Sequence, residues 1–142
     1  MLPVEEADAL PEADAYLVGY WADRGHADEK SQALIGRLAG KKVGLFGTLG
    51  AYPYGKHARH ILEAVEERLP EDCILLGNFL CQGPVDPALL ERFRRLPADD
   101  PHAQTPAARE RHAVAARHPN DLDAQYAAAL FRERLEGSGR GV

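Results

Sequence analysis

Three short, unbroken apolar runs constrain this chain more than any other feature: residues 15–20 (AYLVGY), 43–47 (VGLFG) and 73–81 (CILLGNFLC). A strand with one wet face alternates apolar and polar residues. A run that is apolar at nearly every position needs cover on both faces, as a strand inside a parallel sheet has. The intervening segments have a different period. Residues 28–38 put Ser31, Leu34, Ile35 and Leu38 on one helical face, and residues 56–69 do the same with Ala58, Ile61, Leu62, Val65 and Leu69 before Pro70 stops the helix. Strands that alternate with amphipathic helices predict an α/β domain built on a parallel sheet. Gly77 inside the third run predicts a bulge or a close backbone approach, and Leu2-Pro3-Val4 reads as a fragment of a further strand.

Three more helices follow. Asp86-Pro87 is a capping residue with proline at the first helical position, and it points Leu89, Leu90, Phe93 and Leu96 inward. Thr105-Pro106 repeats that signal for an alanine-, arginine- and histidine-rich helix. Asn120 or Asp121 caps a last helix with Leu122, Tyr126, Leu130 and Phe131 inward. The 142 residues suit one domain, taken as 1–136, with 96–118 an additional helical segment that serves as a cap or partner surface and 137–142 a flexible tail.

Charge and composition exclude several classes. Seventeen basic residues against twenty-two acidic ones leave a net charge of −5, which argues against nucleic acid as a partner. No run approaches the roughly 20 apolar residues of a membrane span. Cys73 and Cys81 lie eight residues apart in one extended run, beyond disulfide reach, so both read as reduced and the protein as cytoplasmic.

In an open α/β sheet, ligands sit beyond the carboxyl ends of the strands. The segments that follow the three runs are Tyr20-Trp21-Ala22-Asp23-Arg24-Gly25, then Gly47-Thr48-Leu49-Gly50-Ala51-Tyr52-Pro53-Tyr54-Gly55, then Gln82-Gly83-Pro84. Tyr20, Trp21, Tyr52 and Tyr54 gather there, and Trp21 is the single tryptophan. Glycines in the same segments let backbone amides approach a ligand. The layout suits a flat aromatic ligand held between rings, each aromatic pair adding about 0.5–1.5 kcal/mol beyond burial. Aromatics that simply pack beneath loops are the competing reading.

Four blocks carry a resemblance: residues 18–25 (VGYWADRG), 46–53 (FGTLGAYP), 79–83 (FLCQG) and 118–120 (HPN). Together they resemble a bacterial group of small flavodoxin-like proteins, some relatives of which are linked with bilin reduction. The resemblance implies a flavodoxin-like three-layer sandwich with a parallel sheet, bound FMN, and electron transfer to redox partner proteins. Residue by residue, it implies that Trp21 stacks on the flavin and that the backbone of Asp23, Arg24 and Gly25 faces its reactive N5 edge. Residues 48–55, beginning Thr48-Leu49, would form the second loop, with amides of Gly50 and Ala51 on the pyrimidine edge and Tyr52 or Tyr54 over the opposite face. Cys81 and Gln82 would close the site from the third strand.

One departure stands out. The family's first strand and first helix, with the Ser/Thr- and Gly-rich phosphate loop between them, have no counterpart in residues 1–142. Such a loop binds phosphate through backbone amides at a helix N-terminus. The expectation is therefore an open strand edge at residues 15–20, a weakened claim on FMN, and an upstream segment lost, or replaced by a homodimer through that edge. The competing function is a flavin-free α/β interaction module that docks through the edge and the 96–118 segment. A small flavin reductase is a weaker option, since no nucleotide fingerprint is visible.

Other constellations carry less. His57-x-x-His60 has metal-ligand spacing but lacks further ligands and reads as two solvent-facing imidazoles. Cys81 either touches the flavin or is a small buried hydrophobe. Gly47-Thr48-Leu49-Gly50 lacks the lysine and spacing of a nucleotide-hydrolysing loop, and no Gly-x-Ser-x-Gly elbow exists. Residues 1–29 carry eight acids against Arg24 alone, whereas 88–117 carry six arginines against four acids. An acidic rim would steer a basic redox partner. Solvated faces of an ordinary protein are the plain alternative.

Overall fold

A computed structural model describes residues 1–139. A short 3-10 turn, Val4–Glu6, opens the chain. The sheet follows: β1 (Tyr16–Asp23), β2 (His26–Ala27), β3 (Lys42–Leu49) and β4 (Ile74–Gln82). Its helices are α1 (Glu29–Ile35), α2 (Lys56–Glu67), α3 (Pro87–Arg94), α4 (Pro106–Ala115) and α5 (Asp121–Gly139). The strand order is β2-β1-β3-β4. Strands β1, β3 and β4 are parallel, and the two-residue β2 runs antiparallel to the end of β1. This is the α/β, flavodoxin-like architecture that the alternating pattern and the resemblance implied.

Local chemistry starts the helices where the sequence signals them. Asp28, Asp86 and Thr105 each cap a helix by accepting a backbone N–H, from Ser31, Ala88 and Ala108 respectively. Along β3, Val43↔Leu75 is followed by Gly44↔Gly77, so Leu76 is the extra residue of a bulge beside Gly77.

Alternation along the strands divides the packing. Val18, Tyr20, Val43, Leu45 and Leu49 point to one face and join Ile35 and Leu38 at the end of the α1 segment and Ile61 and Val65 of α2 in a closed core. On the other face, α5 packs against β4. Its Leu130 lies against Gly77, and Phe131 lies over Gly44 and meets Phe46 edge-on with centroids 6.4 Å apart. The β1 half of this face stays bare.

Several expectations change. Leu2-Pro3-Val4 is not a strand, because Pro3 at φ −60° leads into the 3-10 turn and no neighbouring strand pairs with it. Strand β1 continues to Asp23, so Tyr20 and Trp21 are strand residues and not loop residues. Leu122 and Tyr126 are exposed, because the sheet offers glycine seats to Leu130 and Phe131, one and two turns further on. Helix α5 runs through Gly139, into the segment expected as a tail, and residues 140–142 lie outside the described residues.

Candidate functional site

The candidate residues lie where the strands end, and the register aligns them. Trp21, Thr48 and Cys81 form one row across β1, β3 and β4, with Leu49 and Gln82 paired in the next. Successive residues on a strand face opposite ways. Trp21, Thr48 and Cys81 therefore belong to the α5 face, and Leu49 and Gln82 to the α1/α2 face.

The same alternation separates two aromatics that the sequence places side by side. Tyr20 is only 6% exposed. Its ring crosses the bare backbone of Gly47, and its hydroxyl donates to Asn78 Oδ1 at 2.9 Å, tying β1 to β4 across β3. Burial, the largest effect, pushes its phenol well above the usual range, the Asn78 hydrogen bond opposing and Glu66 adding to it. Tyr20 is core. Trp21 points the other way, is 57% exposed, and lines a cleft of about 500 Å³ with Glu5, Asp23, Asp28, Glu29 and Lys30.

The first loop is tighter than a flexible jaw. Asp23 pairs with His26, and Arg24 (φ 52°) and Gly25 (φ 81°) make a two-residue turn with both φ positive, the hairpin geometry that matches strand twist. The turn leans over α2, where a Cβ on Gly25 would come 3.6 Å from the ring of His60. The second loop, residues 50–55, ends at Gly55 (φ 110°), which caps α2. Both loops thus converge on the amino-terminal half of α2. Tyr52 and Tyr54 are exposed and stack on each other, centroids 5.8 Å apart and planes 17° apart. Neither lines the cleft beside Trp21. The tyrosine pair and the tryptophan occupy two places, because Trp21 belongs to a strand.

The third strand closes the rim. Gly83 N–H donates to Leu49 O at 2.9 Å, and Cβ atoms on Gly50 or Gly83 would run into Val85 or Thr48, so these glycines let the two segments touch. Gln82 is 6% exposed, and its Nε2 has no hydrogen-bond partner among the described residues. A buried, unpaired amide costs about 1–3 kcal/mol. Cys81 behaves as a small hydrophobe: burial first, and the charge of Asp123 second, push its thiol up to about 11.

Two arrangements go beyond the sequence reading, which named Asn120 as a cap but not its reciprocal partner Asp123. Asp28 closes part of the expected open edge: it donates N–H to Trp21 O at 3.0 Å and accepts from Trp21 N–H at 3.1 Å, while Ser31 Oγ donates to Gly19 O at 3.2 Å. At the start of α5, Asn120 and Asp123 cap each other's backbone N–H groups, and Asp123 Oδ2 lies 2.7 Å from His118 Nδ1. Burial opposes ionisation of Asp123, yet the His118 hydrogen bond, the Asn120 N–H and the His118 charge together hold its carboxyl below the usual range. The spacing Asn120-x-x-Asp123 was the available signal for this cap. No cluster of three potential metal ligands occurs among the described residues, and Cys73 and Cys81 are free thiols. No helix is long and apolar enough to cross a membrane among them.

Comparison with known proteins adds to this geometry. Residues 1–132 match the family model described as a flavodoxin domain. The chain is 30% identical over 125 residues to a flavodoxin-like domain-containing protein BilS of Clostridioides difficile (strain CD3), covering 86% of this chain and 69% of that protein. It is 32% identical over 130 residues to a protein of the same description from Clostridium symbiosum (strain WAL-14163), covering 85% and 68%.

Proposed function

The chain belongs to the flavodoxin domain family, and on that premise we propose that it is an electron-transfer protein that holds a flavin ring at the carboxyl rim of β1, β3 and β4. The observation that carries this reading is the convergence of two amide-bearing turns, 23–25 and 50–55, on the amino-terminal half of α2, beside the exposed Tyr52–Tyr54 stack. FMN, the cofactor that the family resemblance implies, supplies reversible uptake of one or two electrons when bound.

The residues present fit the ring half of FMN. The backbone of Arg24 and Gly25 and that of Gly50 and Ala51 offer amides to its polar edges. The Tyr52–Tyr54 pair offers an aromatic face, worth about 0.5–1.5 kcal/mol per ring pair. Gln82 Nε2 is a buried donor still lacking an acceptor. They do not fit the phosphate half. The cleft at the β1 edge carries four carboxylates, Glu5, Asp23, Asp28 and Glu29, and its Lys30 is already held by Glu5 at 2.9 Å. A phosphate dianion there meets repulsion, and the described residues offer no glycine-rich loop at a helix N-terminus beside that edge.

In this reading the chain's own residues hold and orient the ring, exclude water from one face, and leave the other reachable by a partner. Flavin fluorescence titration tests it. FMN should be quenched on binding, and Tyr52→Ala or Tyr54→Ala should weaken binding about fivefold. The bound flavin should also be reduced and reoxidised in place with recovery of its original spectrum. Unchanged flavin fluorescence at millimolar protein would contradict the reading.

A further inference from the structure

Charge along α2 runs against its own helix. The first turn of a helix is its positive end, so acids stabilise the start and bases the finish. The other helices begin with an acceptor: Asp28, Asp86 and Thr105 cap α1, α3 and α4, and Asn120 with Asp123 opens α5. Helix α2 begins at Gly55 with no side-chain cap and no acid in its first turn. Lys56, His57, Arg59 and His60 stand there instead, all exposed, and Glu63, Glu66 and Glu67 come after them. Base before acid is also the less favourable order for pairs one turn apart. Lys56 and Arg59 form no ion pair among the described residues. These cations do not help the helix fold; they face outward.

A second segment adds to the same charge. The 23–25 turn packs on this part of α2, a Cβ on Gly25 coming 3.6 Å from the His60 ring. Its Arg24 side chain is 94% exposed and pairs only loosely with Asp23, at 4.0 Å. Asp23 itself lines the cleft beside Trp21. No acid occurs between Glu29 and Glu63, a stretch that holds six lysines and arginines. Just before α2 stand Tyr52 and Tyr54, stacked on each other, with Tyr54 74% exposed. A stacked pair has two outer faces, so one can meet a flavin and the other a partner.

Composition and charge identify the occupant. Protein interface centres are enriched in tyrosine and arginine and poor in acids. A long polyanion such as a nucleic acid would run past this rim onto a chain of net charge −5. A protein with a confined acidic face would not.

We propose that the rim formed by Arg24, Tyr52, Tyr54, Lys56 and Arg59 docks an acidic face of a partner protein, its carboxylates on the three cations and its apolar side chains on the tyrosine pair. The proposal names the partner class of the flavin site argued above and rests on that reading for its redox meaning, but the surface is complete without flavin and is tested without it. The partner's charge is the reverse of that expected from the acid-rich residues 1–29, because Glu5, Asp23, Asp28 and Glu29 line the cleft at the β1 edge and not this rim. Docking of this kind is steered by charge and weakened by salt.

The test uses the full chain, 15N-labelled and free of flavin, with two 14-residue helical peptides that share their alanines and leucines and carry either glutamates or lysines. The glutamate peptide should move the amide signals of residues 24–25 and 54–60. It should bind there at least fivefold tighter than the lysine peptide, with affinity falling as salt rises. Lys56→Glu and Arg59→Glu should each weaken it about threefold or more while leaving the thermal midpoint equal or higher, a combination that damage to the fold would not give. Arg132→Glu, on the exposed side of α5, should leave binding unchanged. The proposal is overturned if neither peptide moves those signals, if both bind equally, if the charge reversals on α2 change nothing, or if a 12-nucleotide single strand binds the rim more tightly than the glutamate peptide. Rim binding of the glutamate peptide by a chain that fails to take up FMN would end the flavin reading and leave the docking surface in place.

Discussion

Leu45 and Phe46 are neighbours on β3 and live in different environments. Leu45 is fully buried between the sheet and helices α1 and α2, while Phe46 lies 38% exposed on the half-covered face. The contrast extends along whole strands: Val18, Tyr20, Val43 and Leu45 against Leu17, Trp21 and Phe46. One face was built to hold the sheet together. The other spends comparable apolar residues on a surface that solvent reaches. The lesson is that a continuous apolar run reports that both faces want cover, and says nothing about which segment supplies it.

The largest test of this contrast compares truncations on the two faces. Leu45→Ala should cost about 2–5 kcal/mol, as deletions in closed cores do, whereas Leu17→Ala should cost below about 1 kcal/mol because about half of its surface is already wet. Urea unfolding of both variants measures the difference, and equal costs would break the distinction. Next in size is Gly47→Ala, for which we expect a loss of about 2–3 kcal/mol. The added methyl meets the Tyr20 ring, which cannot swing away without giving up Asn78. A milder loss would mean that Tyr20 is not locked across β3.

The smallest expected effect lies at the α5 start, and it depends on pH. Asp123 is held below the usual carboxylate range in the folded state. Its contribution is therefore fully present above the unfolded value of about 4 and is lost as pH falls through the lower folded value. Asp123→Asn should cost about 1 kcal/mol or less at pH 7, the scale of a helix cap. The cost should shrink toward zero as the pH falls through the folded value. A pH-independent difference in denaturation midpoint would assign the effect to packing.

Much of the fold was legible because its causes are local. The strands at residues 43–47 and 73–81 were found within about two residues, the caps at Asp86 and Thr105 formed as written, and Gly77 does sit beside a bulge. What was not legible depends on how far β1 runs. With the strand ended at Tyr20, that residue and Trp21 look like two members of one aromatic loop. Once it continues to Asp23, alternation sends Tyr20 into the core and Trp21 to the bare face. No local signal marks that choice, since it depends on Asp23 finding His26 and on Asp28 folding back to Trp21. The Tyr20–Asn78 tie is equally invisible, because it joins residues 58 positions apart through space that only Gly47 leaves open.

The same division of faces bears on the proposed flavin site, where two turns and the Tyr52–Tyr54 pair stand at the carboxyl rim and the cleft at the β1 edge is lined by acids. The most direct measurement is a parallel titration of this chain with FMN and with riboflavin, which differ by the phosphate alone. The account predicts that both bind and that their dissociation constants agree within about threefold, FMN being no tighter. Binding of FMN ten times tighter than riboflavin, or binding of neither, would contradict it.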